Sequence, residues 1–109
     1  MPAMRMTTPR LLVLRALADD PDRERYGLDL ATEAGLEPGT IYPILVAFEA
    51  AGWLSSRTEE IDTHTEGRPR RRYYRLTAAG VTAAREAITK ADAKRRSPRT
   101  TPGAGELAW

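Results

Sequence analysis

The chain has 109 residues, 41% of them hydrophobic and 29% charged, a composition that fits one soluble domain with one modest core. It has no cysteine, which excludes disulfides, thiolate catalysis and cysteine-ligated zinc, and no apolar run long enough to span a membrane. Net charge is only +2, but residues 1–52 carry five Arg against eight Asp/Glu while residues 53–109 carry twelve Lys/Arg against seven, so the halves come to −3 and +5. A basic surface concentrated in one half suits an anionic partner.

Residues 1–7 read as a flexible N-terminus without the apolar core of a signal peptide, and the expected compartment is the cytoplasm. Thr8-Pro9 supplies an N-cap and a proline for the first turn of a helix, and Leu11, Leu12, Leu14 and Leu17 make its stripe through Ala18. Asp19-Asp20-Pro21-Asp22 ends it, and the turn is expected to continue to Arg25. A short second helix is expected over 26–34, with Tyr26, Leu28, Leu30, Ala31 and Ala34 inward and Gly35 as its stop. Leu36-Glu37-Pro38 then leads tightly into a third helix over 39–51. There Ile41, Leu45 and Phe48 share a face at i, i+4 and i+7, with Ile44 beside them. Pro43 lies close enough to the helix start to be tolerated, and Gly52 sits where a left-handed stop belongs. Two short helices joined by a few residues containing glycine are a helix-turn-helix pattern.

After Gly52 the period changes from helical to alternating. Trp53–Thr58 and Arg72–Leu76 read as two strands, the second with Tyr74 and Leu76 inward and Tyr73 and Arg75 outward. The polar loop between them, from about Glu60 to Arg71, is long for a hairpin and is expected to be mobile at its tip. Thr77 caps a last helix over 78–96, whose stripe of Val81, Ala84, Ile88 and Ala91 is thin and suits close helix–helix contact. Residues 97–109, ending in Trp109, lack periodicity and read as a flexible tail. The fold expected is mostly α with a small two-stranded β wing, an α+β class: a winged helix-turn-helix over 8–77 plus a C-terminal helix.

Tyr26-Gly27, Gly39-Thr40-Ile41-Tyr42-Pro43-Ile44-Leu45, Phe48-Glu49 with Gly52, Gly67-Arg68-Pro69-Arg70, and Tyr73-Tyr74-Arg75-Leu76-Thr77 with Gly80 form a series that resembles the PadR family of bacterial transcriptional regulators. The resemblance covers roughly residues 8–90. It implies a winged-helix fold, a homodimer built through terminal helices, and repression of transcription by binding operator DNA. In some members a small-molecule effector at or near the dimer interface releases the DNA. The chain departs from the pattern where Val46 and Ala47 replace the basic or polar residues usual in mid-helix, so the third helix has no Lys or Arg. Its wing loop is also longer, with an added arginine in Arg70-Arg71-Arg72, and its last helix is short.

A helix that enters the major groove leads with its N-terminal turn, whose free amides also attract a phosphate. Thr40 and Tyr42 bring hydroxyls to that turn, and the resemblance assigns both to the DNA-facing side. Pro38, Gly39 and Pro43 contribute shape and close approach. Arg68, Arg70, Arg71 and Arg72, with Arg75, place five positive charges in eight residues, suited to phosphate contact or minor-groove insertion. With so little on the helix for base readout, phosphate contacts are expected to dominate affinity and to make binding steeply salt-dependent. Lys94-Arg95-Arg96 with Arg99 adds a smaller basic cluster.

The expected partner is thus double-stranded DNA, bound by a homodimer as two-fold recognition requires, with Leu11, Leu14, Val81, Ala84 and Ile88 as candidate dimer contacts or, alternatively, as parts of the monomer core. No cofactor, no metal and no membrane partner are expected. His64 is the single histidine and lies in the wing loop, and no phosphate-binding glycine loop or nucleophile–base constellation is present, so the chain does not read as an enzyme. A competing reading is a winged-helix protein-interaction module, motivated by Val46, Ala47 and Phe48.

Overall fold

The computed structural model describes residues 4–96. The tail over 97–109, including Arg99 and Trp109, and residues 1–3 of the N-terminus lie outside the described residues. The order is α1 (Thr8–Ala18), β1 (Arg25–Tyr26), α2 (Gly27–Ala34), α3 (Pro38–Ala50), β2 (Leu54–Thr58), α4 (Thr63–Glu66), β3 (Arg72–Leu76) and α5 (Ala78–Arg96). Helices α1, α2 and α3 enclose a core of Val13, Leu14, Leu17, Leu30, Ile41, Leu45 and Phe48, closed by Leu54, Tyr74 and Leu76 from the sheet and Ala84 from α5. No helix among the described residues is long and apolar enough to cross a membrane.

The sheet has three strands, not the two expected. All are antiparallel in the order β1-β3-β2, with Arg25 opposite Tyr74 and Leu54 opposite Leu76. The added strand β1 is two residues long, too short to show alternation. It is held by Arg25, which is buried: its Nη1 donates to the Ala16 carbonyl at 2.9 Å and to Glu33 Oε1 at 2.5 Å. A buried charge survives only when paired and hydrogen-bonded, so this arginine links the end of α1, β1 and α2.

Helix α2 therefore begins at Gly27, and its buried set is Gly27, Leu30, Ala31 and Ala34, a spacing of i, i+3, i+4 and i+7. Leu28, expected inside, falls off that stripe and is exposed, and Tyr26 belongs to the strand. The cap of α1 also moves by one residue: the Thr7 hydroxyl accepts from the Arg10 amide.

The end of α3 is a Schellman stop. The Trp53 amide donates to the Phe48 carbonyl at 2.9 Å, the Gly52 amide donates to the Glu49 carbonyl at 3.0 Å, and Gly52 has a φ of 82°. The accompanying apolar contact is Phe48 against Trp53, ring centroids 5.2 Å apart. Helix α5 docks on the same corner. Thr77 Oγ1 donates to the Gly52 carbonyl at 2.6 Å and accepts from the Gly80 amide at 3.0 Å, while the Thr77 amide donates to the Trp53 carbonyl. Gly80 passes so close that a Cβ there would lie 2.0 Å from the Trp53 oxygen. The Arg15–Asp92 pair, at 2.6 Å, ties α1 to α5 farther along and holds the Asp92 carboxyl below the usual range.

Candidate nucleic-acid interface

At about 100° per residue, the buried side chains of α3 (Ile41, Ile44, Leu45 and Phe48) lie on one face, and the line opposite them is Gly39, Pro43, Val46 and Ala50. All four are exposed, and Val46 is 67% accessible. That line holds no hydrogen-bonding side chain. Thr40 and Ala47 flank it on one side and Tyr42 on the other, and Thr40 is exposed. The N-cap Glu37 makes no side-chain capping bond, and a Cβ at Gly39 would meet nothing within 4 Å, so the first turn is open to close backbone approach.

Tyr42 is 38% exposed. Its ring lies on Gly27, where a Cβ would come within 2.9 Å of Cε1 and 3.0 Å of the hydroxyl oxygen. Gly27 thus leaves a slot that fixes where the Tyr42 hydroxyl sits, which explains why the glycine follows Tyr26 at the start of α2. Sequence spacing cannot reveal this pairing, because the two residues meet only when α2 and α3 cross.

The wing differs from its sequence appearance. Residues 59–72 hold four arginines but also four acids, Glu59, Glu60, Asp62 and Glu66. Arg68 forms a two-pronged pair with Glu59, at 2.7 and 3.1 Å. Glu59 also accepts from the Arg71 amide at 3.2 Å; the Arg68 guanidinium foremost, then that amide, hold its carboxyl down at about 2. The Arg71 guanidinium lies over the Tyr26 ring, 4.7 Å from its centroid. Arg72 Nη1 donates to Thr58 Oγ1 at 3.1 Å, and its Nη2 is 3.8 Å from Glu49. On the neighbouring strand Arg57 is bonded twice to Glu24 and lies over Tyr73. Among the described residues, Arg70 and Arg75 are wing arginines that form neither an ion pair nor a ring stack. Of the run, Arg68 is neutralised by Glu59 and Arg72 faces Glu49 only at a distance, while Arg71 keeps its charge under a ring that fixes its position.

The long loop is also organised. Asp62 caps the single turn of α4 by accepting from the His64 and Thr65 amides, and Gly67 closes it at φ 69°. His64 is exposed on this turn.

Glu49 is a positioning residue that the sequence reading passed over. Its Oε2 accepts from Ser56 Oγ at 2.6 Å while facing Arg72, so it sets the angle between α3 and the wing. Its place in Phe48-Glu49 was the available signal. Beneath it, burial pushes the Tyr74 phenol above its ordinary range and keeps it neutral.

The five candidate dimer residues separate. Leu14 and Ala84 are 0% and 1% exposed and close the monomer core, so they have no surface to offer a second chain. Leu11, Val81 and Ile88 are partly exposed. Leu11 lies with Met4, Trp53, Ala83, Ala87 and Ala91 along one groove between α1 and α5. Val81 and Ile88 line a smaller one with Ala18 and Pro21.

Solved structures share this architecture. BpsR of Bordetella bronchiseptica, whose DNA binding is regulated by 6-hydroxynicotinic acid, aligns with a TM-score of 0.70 at 18% identity over 89% of this chain and 67% of its own. A PadR family transcriptional regulator from Eggerthella lenta DSM 2243 gives 0.65 at 24% identity, covering 82% and 79%. A PadR family transcription regulator from Clostridium difficile R20291 gives 0.61 at 23%, covering 83% and 91%. No curated protein sequence matches the chain. The sequence profile of the transcriptional regulator PadR-like family matches residues 13–86, well over half of the chain. The chain belongs to the PadR-like family of DNA-binding transcriptional regulators.

Proposed function

We propose that the protein is a repressor that binds operator DNA as a homodimer, with α3 in the major groove and the wing against the phosphate backbone. The observation that carries this reading is the exposure, on one family-typical scaffold, of the outer face of α3 with Thr40 and Tyr42 at its leading end. Arg70 and Arg72 are exposed on the wing beside it. Arg68 and Arg71 act from behind, holding the wing in shape. The role needs no catalysis and no cofactor. Leu11, Val81 and Ile88 are the contacts available to a second copy, and the groove beside Leu11 suits a small aromatic effector of the kind that regulates BpsR.

Fluorescence anisotropy with a duplex from upstream of the protein's own gene, beside a scrambled duplex, tests the operator claim. Preference for the native duplex supports it. Failure to bind either duplex at low salt rejects it. Sedimentation of an Ile88→Asp variant tests the dimer: a shift toward monomer is expected, and an intact folded dimer removes Ile88 from the interface.

One observation favours a second reading, a winged-helix protein-interaction module: Val46 is exposed on a helix without Lys or Arg. Retention on heparin that weakens with salt separates the two, since the module has no need of it.

A further inference from the structure

The outward line of α3 is apolar along its whole length, and this determines what it can read. Gly39, Pro43, Val46 and Ala50 point directly away from the core and carry no donor or acceptor on a side chain. In the major groove, guanine presents N7 and O6, cytosine an amino group, and adenine N7 with an amino group. Pressing Val46 against any of these strips water from a polar base edge and returns no hydrogen bond, which is unfavourable. Thymine alone among the four bases presents an apolar group there, its C5-methyl. The charge near α3 serves the backbone whatever the base, and leaves the choice of base to the apolar line. Arg72, at the C-terminal half of the helix, faces Glu49 and keeps an exposed guanidinium for the backbone on that side.

We infer that α3 selects its DNA site through the methyl groups of thymines, with Val46 as the principal specificity-determining residue and Pro43 and Ala50 beside it. This rests on the DNA-binding reading above. The preferred half-site is then thymine-rich where α3 lies, and its recognition depends on the methyl itself, since deoxyuridine has the same hydrogen-bonding edge without it. Tyr42 and Thr40 fix where the helix starts along the groove, and Val46 sets which base pair lies under its middle.

The test begins with selection of binders from a random duplex library by the full chain. The winning duplex is remade with deoxyuridine in place of thymidine, singly and throughout, and its affinity measured by anisotropy for the unaltered protein and for Val46→Ala. Loss of a buried methyl contact is expected to weaken binding about fourfold at each contacted thymine. In Val46→Ala the loss at the thymine under position 46 shrinks toward none, which separates a direct contact from a change in DNA shape. Val46 is exposed, so this variant keeps its fold, as circular dichroism will verify. A selected duplex that binds equally well with all thymines replaced overturns the inference and leaves DNA recognition standing. Enrichment of no sequence, with no binding at low salt, overturns the DNA reading and the inference together.

Discussion

Helix α3 and the wing are neighbours of opposite character. The helix has no basic residue and turns an apolar line to solvent. The wing has the densest run of arginine in the chain, but two of its five guanidinium groups are engaged within the protein, Arg68 by its ion pair with Glu59 and Arg71 by its stack on Tyr26, and Arg72 is shared with Thr58 and Glu49. Formal charge along a sequence is therefore a poor measure of charge available to a ligand. A paired arginine must lose or share its partner before it can neutralise a phosphate. The comparison shifts the expected recognition away from the wing and toward the shape and apolar surface of the helix.

The largest effect is expected where the two regions share a support. Gly80→Ala would drive a Cβ onto the Trp53 carbonyl, at the corner from which α3 ends and β2 begins. Backbone cannot move aside as a side chain tip can, so a loss at the upper end of overpacking costs, about 3 kcal/mol, is expected. Thermal denaturation will show it as a fall in Tm on the order of 10–20 °C.

A smaller, local effect is expected at Gly27. Gly27→Ala forces the Tyr42 ring off its seat while leaving the core side chains in place. DNA affinity should fall about as far as in Tyr42→Ala, with far less loss of stability than Gly80→Ala. Equal affinity for Gly27→Ala and the unaltered protein would show that the position of Tyr42 is irrelevant to binding.

The wing itself is separated by Arg70→Ala and Arg71→Ala. Removing Arg70 should flatten the salt dependence of DNA affinity by about two phosphates' worth of slope, one from each protomer of the homodimer. Removing Arg71 should leave the slope nearly unchanged and act instead through the loosened contact with Tyr26.

The smallest effect concerns pH. The folded Glu59 carboxyl lies well below its unfolded value of 4.5, at about 2, because Arg68 and the Arg71 amide favour its charged form. Its contribution to stability is therefore complete above about pH 5 and is lost as pH falls toward about 2. Hydrogen exchange across residues 59–72 should quicken over that window, and Glu59→Gln should remove the dependence.

The helical framework was readable from residues alone because its signals are local. The stripe through Ile41, Leu45 and Phe48, the stops at Gly35 and Gly52, and the inward Tyr74 and Leu76 all appear in the structure as their spacing suggests. Strand β1 was not readable: Arg25 looks like a surface residue until the Ala16 carbonyl and Glu33 converge on it. For the same reason the arginine run read as an unopposed positive patch. Its partners Glu49 and Glu59 lie 23 and nine residues away from Arg72 and Arg68, and only pairing of β2 with β3 brings them together. Candidate site residues on α3 were easier to place, because facing away from a core stripe is itself a matter of period.

The most direct test is the slope of log affinity against log salt for the preferred duplex, compared with a scrambled one. If each protomer of a homodimer offers only Arg70, Arg72 and Arg75, six phosphates are neutralised and a slope of about −5 is expected, with sequence preference persisting at high salt. A slope near about −9, the value for five wing arginines from each protomer, with preference fading as salt rises, would contradict it and return recognition to the wing.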